Sequence, residues 1–342
     1  MTAGRLGVTF FTVLAVTSLA AGLSAQGEPK PAPRTAQSTR SATPRTEWGA
    51  PDLQGTWSFA TVTPLERPAG VTKEFLTADE IKEIEGKAVD AATDEARGDT
   101  PQADVAGAYN DFWWDRGTRV AGRRSSLIRD PGDGRLPPLT AKAREFVDGP
   151  ESKRIQATRQ GDLPPAGPEE TDLWDRCLTR GVPIVPGPYN NNIQIVQTPT
   201  HVVILHEMIH DARIVPIGKR PEVPSNIRAW LGVPFGRWEG DMLVVETRQI
   251  SEKQELLFSP RMSPENTKLT ERFSRTPEGN LRYEFTLDDA TLYTRPWTAV
   301  LEMTPSEGEI YEYACHEANY AMSNILKGAR QRDGSTSTTQ RR

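Results

Sequence analysis

Residues 280–287 alternate strictly: Leu281, Tyr283, Phe285 and Leu287 are apolar or aromatic, and Arg282, Glu284, Thr286 and Asp288 are polar. A period of two puts the first set on one face of a strand and the second on the other. That is the pattern of an antiparallel sheet with one buried and one wet face. The run at 268–275 joins it through Thr276-Pro277-Glu278-Gly279, a hairpin connection. Similar strand-like runs lie at 201–215, 242–250, 293–303 and 310–315. The run at 242–250 opens on the turn signal Glu239-Gly240-Asp241, and the run at 201–215 ends at Pro216. About six strands at this spacing predict an antiparallel barrel or sandwich.

The first half is written differently. Thr77 and Glu80 form a capping-box pair, and Ile81, Ile84, Ala88 and Ala92 recur at helical spacing toward Arg97. Shorter helices are expected at 140–147 and 169–178. Pro51 to Phe59 reads as a turn entering a strand, with Trp57 and Phe59 on one face. The Gly55-x-Trp57 opening resembles that of calycin barrels. The expected fold is therefore mainly β: an antiparallel, barrel-like (calycin-like) or sandwich domain. A helical and coil portion occupies about 47–185, and the β-rich part about 186–329.

The N-terminus points outward from the cytoplasm. Arg5 is followed by a short apolar run, and Leu23-Ser24-Ala25 supplies a small-residue exit. These features predict a secretory signal at 1–25, and no Cys follows it to suggest a lipid anchor. Residues 26–46 contain no aromatic and cannot bury enough apolar surface to order themselves, so a flexible leader is expected there, with a similar tail at 330–342. The predicted location is periplasmic or secreted, with no membrane contact after signal cleavage. The formal net charge is -5, without a basic cluster, so nucleic acid is not an expected partner. The two cysteines, Cys177 and Cys315, suit a disulfide in an oxidising compartment; two buried thiols are the alternative.

Several blocks resemble a large group of exported bacterial proteins of uncharacterised function. They are Gly236-Arg237-Trp238-Glu239-Gly240-Asp241-Met242-Leu243-Val244-Val245-Glu246-Thr247, Tyr189-Asn190-Asn191-Asn192, Tyr293-Thr294-Arg295-Pro296-Trp297-Thr298 and Tyr311-Glu312-Tyr313-Ala314-Cys315-His316-Glu317. The resemblance implies export and a shared fold. It implies no activity.

One motif carries explicit chemistry. His206-Glu207-Met208-Ile209-His210 matches H-E-x-x-H, which binds zinc when a helix sets both imidazoles on one face. Here Val202-Val203-Ile204-Leu205 precedes it and Ile214-Val215-Pro216 follows, which favours a strand. On a strand the two histidines stand ~13 Å apart, too far for one zinc with ~2.1 Å bonds. No metal or other cofactor is therefore expected. Read as a strand, the segment alternates His206, Met208 and His210 against Glu207, Ile209, Asp211 and Arg213; a bulge or a turn near Ile209-His210 would change that register.

The candidate acid–base residues are His210, with Glu207 and Asp211 as carboxylates, Arg213 as electrostatic partner, and His316 beside Cys315. An Asp211–Arg213 or Glu207–Arg pair that merely satisfies a buried polar patch is the competing explanation. Trp113, Trp114 and Asp115 form an aromatic and acidic loop, Tyr189 and Asn191 offer polar contacts, and Tyr293, Arg295 and Trp297 share a strand face. These are candidate ligand-binding residues. P-loop, dinucleotide, C-x-x-C-H and G-x-S-x-G signatures are absent. The expected function is an exported pocket protein acting on a small organic molecule by cofactor-independent acid–base chemistry, of lyase, isomerase or hydrolase type. A periplasmic binding protein without catalysis and an HExxH zinc hydrolase are the alternatives.

Overall fold

Alternation along the strands becomes a nearly closed antiparallel barrel in a computed structural model. It describes residues 43–91, 100, 115, 117–220, 222–254, 266–317 and 319–332. The strands are β1 (Gly55–Ser58), β2 (Ile128–Asp130), β3 (Asn192–Gln197), β4 (His201–His206), β5 (Ala212–Pro216), β6 (Val233–Glu239), β7 (Met242–Arg248), β8 (Lys268–Arg275), β9 (Leu281–Asp288) and β10 (Trp297–Pro305). They run in the order β5-β4-β3-β1-β10-β9-β8-β7-β6, with β2 added to β10. The two ends of this order meet at a narrow seam. Ile217 bridges Gly236 in parallel fashion, and Gly218 N donates to Gly236 O at 3.1 Å. A Cβ on Gly236 would collide with the side chains of Ile217 and Val215, so the seam needs glycine there.

The inward face is filled. Leu281, Tyr283 and Leu287 are fully buried, and Phe285 nearly so, as the alternation requires. Register sets Phe273 opposite Tyr283 and Leu287 opposite Trp297. The rings meet in series: Phe273–Tyr283 at 4.9 Å, Tyr283–Phe285 at 5.7 Å and Phe285–Trp297 at 5.3 Å between centroids. Trp57 and Phe59 are both buried, as expected from their spacing. Each such side chain contributes about 1.5–3 kcal/mol by leaving water.

Helices cover little of the barrel. They are α1 (Ala78–Ala91), α2 (Ala141–Asp148), α3 (Pro150–Arg159) and α4 (Ala321–Arg332). The capping box is formed: Thr77 N donates to Glu80 Oε2 at 2.8 Å and Glu80 N to Thr77 Oγ1 at 3.4 Å. Thr140 Oγ1 accepts from Ala143 N at 3.1 Å and starts α2. The extension of α1 toward Arg97 lies outside the described residues, as do residues 1–42 and 333–342.

Four expectations are corrected. Residues 201–215 are two strands, not one, because the chain turns at Glu207–His210 with positive φ at Ile209 and His210. No glycine or proline marks this turn, and Met208 within it is buried, 2% exposed. The segment at 169–178 is a single 3-10 turn, Pro168–Glu170, followed by irregular turns and a positive φ at Cys177. Residues 310–315 are coil, and β10 starts at Trp297 rather than Tyr293. Neither α3 nor most of α4 was anticipated: α3 has no apolar face to read, and α4 begins in coil-like sequence.

Candidate functional site

Residues 172–191 form a strap across one end of the barrel. Pro183, Pro186 and Pro188, with Gly181 and Gly187, deny this stretch both helix and sheet. Side chains hold it instead. Thr179 Oγ1 donates to Asp211 Oδ2 and accepts from Gly181 N at 2.9 Å. Gln254 Nε2 donates to Val182 O at 3.2 Å, and Ile184 N donates to the Tyr283 hydroxyl at 3.1 Å. Val182 and Ile184 are buried in the core. Asn191 ties the strap's end, accepting from Gly187 N at 2.7 Å and donating to the carbonyls of Gly187 and Asp115. The Cys177–Cys315 disulfide, with Cα atoms 5.7 Å apart, fastens the strap to the C-terminal segment.

Under the strap the barrel interior carries charge. Arg213 donates to both oxygens of Glu271, at 2.6 and 3.0 Å, and the pair is buried. Tyr283 donates to Glu271 Oε1 at 2.8 Å, so carboxylate, phenol and strap backbone form one chain. Burial works against the Arg213 charge, but Glu271 outweighs it and holds the guanidinium above its usual value. His206, 6% exposed, is pushed down to about 3, first by burial and then by Arg213 and Arg180.

Beside the strap lies a cleft of about 590 Å³, bounded on its other side by Thr61 to Pro64. Its walls are Val62, Pro64, Pro183, Val185, Pro186 and Pro188, with Trp174 at one side. None of its lining comes from a barrel strand, since the lumen is filled. Three charged side chains line it: Arg159, Asp172 and Arg180. Arg159 and Asp172 pair at 3.1 Å. The Arg180 guanidinium stacks 4.4 Å over the Trp174 ring. Burial draws its pKa below the usual arginine value, with Tyr189 and Asp172 only partly offsetting it.

The sequence-derived candidates do not form one hydrogen-bonded unit. Glu207 accepts from Asn192 Nδ2 at 2.7 Å, Asp211 is bound to Thr179, and Arg213 to Glu271. His210 and His316 are exposed. Arg213's partner is thus Glu271, neither Asp211 nor Glu207. Tyr293 and Trp297 are core residues with rings 6.1 Å apart, and Arg295 turns outward to Asp130 at 2.6 Å; none of the three lines the cleft beside the strap. Asn191 is a clamp inside the strap. Tyr189 is exposed at the strap's end, near Arg180 and Tyr313. Asp115 borders the same region through a backbone bond to Pro188, and its carboxyl is raised by burial and by Glu207 although the residue keeps an exposed surface. Trp113 and Trp114 lie outside the described residues. The H-E-x-x-H match is strand, turn and strand, with no α-helix to present both imidazoles. Among the described residues no group of three His, Cys, Asp or Glu side chains is arranged to hold a metal ion.

Trp174, Arg180 and Gln254 were not found from the sequence. They lie in coil and are assembled only by tertiary contact. Glu271 did leave a signal: it falls between Leu269 and Phe273 on the inward face of its run, where a carboxylate needs a partner. No protein-family model matches this chain, and no curated protein or solved structure matches it either.

Proposed function

We propose that this is an exported protein that holds a small organic molecule in the cleft between the strap and Thr61 to Pro64. The observation that carries this reading is the cleft itself: about 590 Å³, walled by proline and valine, with one aromatic ring and one guanidinium at its side. Such a mixture of rigid apolar wall and few polar groups is what small-molecule sites use. Export is supported by the signal-like N-terminus, by the disulfide and by the blocks resembling exported bacterial proteins. Among the described residues no helix is long and apolar enough to cross a membrane. The test is a thermal-shift screen of the oxidised protein against aromatic, terpenoid and sugar compounds. Ligands of the cleft raise the melting temperature of the wild type and not of Trp174→Ala. A screen in which no compound does so counts against the proposal.

An acid–base enzyme is the second reading, and one observation favours it. Asp115 holds its proton to higher pH than usual, first through burial and then through the neighbouring Glu207, and a carboxyl raised in this way beside a second one suits proton transfer. Incubating a bound compound with the protein and following it by mass spectrometry tests this. Conversion that is lost in Glu207→Gln supports catalysis; recovery of the compound unchanged leaves a binding protein.

A further inference from the structure

We infer that the cleft takes a monoanionic organic acid, its carboxylate lying in the plane of the Arg180 guanidinium and its apolar body against the proline walls. This rests on the cleft being the ligand site and adds the ligand's chemical class.

Three of the described arginines are buried, and the protein's own groups take up donors on each. Arg213 is held by Glu271 and Arg124 by Glu74 and two carbonyls, while Arg67 donates from Nη1 to the carbonyls of Thr72 and Gly132 and keeps Nε and Nη2 without a partner. A guanidinium withdrawn from water needs such partners. Arg180, half-buried, makes no hydrogen bond and no ion pair among the described residues; it rests on the face of Trp174, and Asp172 acts on its charge from beyond ion-pair distance. Stacking satisfies the flat face and leaves the edge, where the N–H donors lie, unspent. An arginine presented edge-on reads carboxylates with two parallel bonds. The seat is shaped for it as well. A Cβ on Gly187 would collide with Arg180 Nη2, so the glycine makes room for the guanidinium.

Charge count sets the valence. Of the three charged side chains lining the cleft, Arg159 and Asp172 cancel each other, which leaves one positive charge. Most of the other polar side chains are engaged within the protein. Thr61 Oγ1 donates to Arg119 O at 2.7 Å, Thr63 Oγ1 accepts from Ala121 N at 2.9 Å, and Thr179 is bound to Asp211. Gln254 Oε1 is buried without a partner, but it is an acceptor and adds nothing for an anion. One cation, rigid apolar walls and few spare donors suit a single carboxylate on an apolar body better than a phosphate or a sugar.

The test is calorimetric titration of the oxidised protein with benzoate, cinnamate and decanoate, each beside its primary amide, and with inorganic phosphate. At least one acid is expected to bind about tenfold or more tighter than its amide, a difference of about 1.4 kcal/mol. Arg180→Gln abolishes that preference, and Arg180→Lys, which keeps the charge without the fork, retains part of it. Melting curves confirm that the variants are folded. Equal binding of acid and amide, or a preference that survives Arg180→Gln, overturns the anion assignment and leaves the cleft proposal standing. Phosphate binding tighter than every acid overturns the organic-acid class. Failure of all acids and amides to bind at millimolar concentration overturns the cleft proposal along with this one.

Discussion

Arg213, inside the barrel, is gripped by both oxygens of Glu271, whereas Arg180, in the strap, rests on Trp174 with no carboxylate within ion-pair distance among the described residues. The same side chain thus serves two ends. Within the lumen Arg213 and Glu271 answer each other, Tyr283 caps the carboxylate, and rings pack beside them. Across the strap the backbone is answered and the guanidinium is left over. The difference separates a region built to persist from one built to meet something.

The largest expected effect tests the closed region. Glu271→Gln strands Arg213 and is expected to cost about 3–5 kcal/mol, read as a lowered denaturation midpoint. Replacing both partners together, Arg213→Met with Glu271→Leu, should restore most of that loss. Next comes the fastening of the strap. The disulfide closes a separation of 138 residues, and Cys177→Ser with Cys315→Ser is expected to cost about 2–4 kcal/mol in denaturant titrations.

Acid provides the third test. His206 has a native pKa of about 3 against an ordinary 6.5. Below the ordinary value the unfolded chain binds a proton that the folded chain refuses. Stability is therefore whole above about pH 6.5 and falls as the pH drops toward 3, by about 1.4 kcal/mol per unit from this residue. His206→Gln should flatten that slope in urea titrations at about pH 7 and about pH 5. An unchanged slope would show that the imidazole accepts its proton in the fold.

Smaller effects sharpen the contrast. Arg180→Gln removes a guanidinium with no ionic partner, so its cost should stay within about 1 kcal/mol, the worth of a cation–π stack. A loss as large as that of Glu271→Gln would mean that the strap arginine is structural and the contrast is false. Arg295→Ala breaks an ion pair whose side chains are both 52% exposed, and a shift under about 0.5 kcal/mol is expected in the same assay.

The contrast also explains what could be read in the sequence. Barrel strands impose a period of two, and Leu281 to Asp288 state it openly, so the fold class and several strands were legible. Thr77 and Glu80 gave the start of α1 because capping is local chemistry. The turn at Glu207–His210 could be named only as an alternative near Ile209-His210, since no glycine or proline marks it and Met208 within it is buried. The cleft was hidden for a stronger reason. Arg180, Trp174 and Pro64 have no mutual periodicity, and only the strap's side-chain bonds bring them to one place. The disulfide could be suggested from cysteine count, but the alternative of free thiols was removed only by the 5.7 Å approach of the two Cα atoms.

The seam at Ile217 and Gly236 bears on a hazard unrelated to ligand. An open sheet exposes rows of unpaired amides and carbonyls, which recruit strands from other molecules. Here the edges beside β5 and β6 are tied to each other through a contact one residue wide. Gly236 lacks the single carbon that would wedge it apart. The barrel's tendency to stay dispersed rather than to grow into aggregates thus leans in part on one position whose side chain is a hydrogen atom.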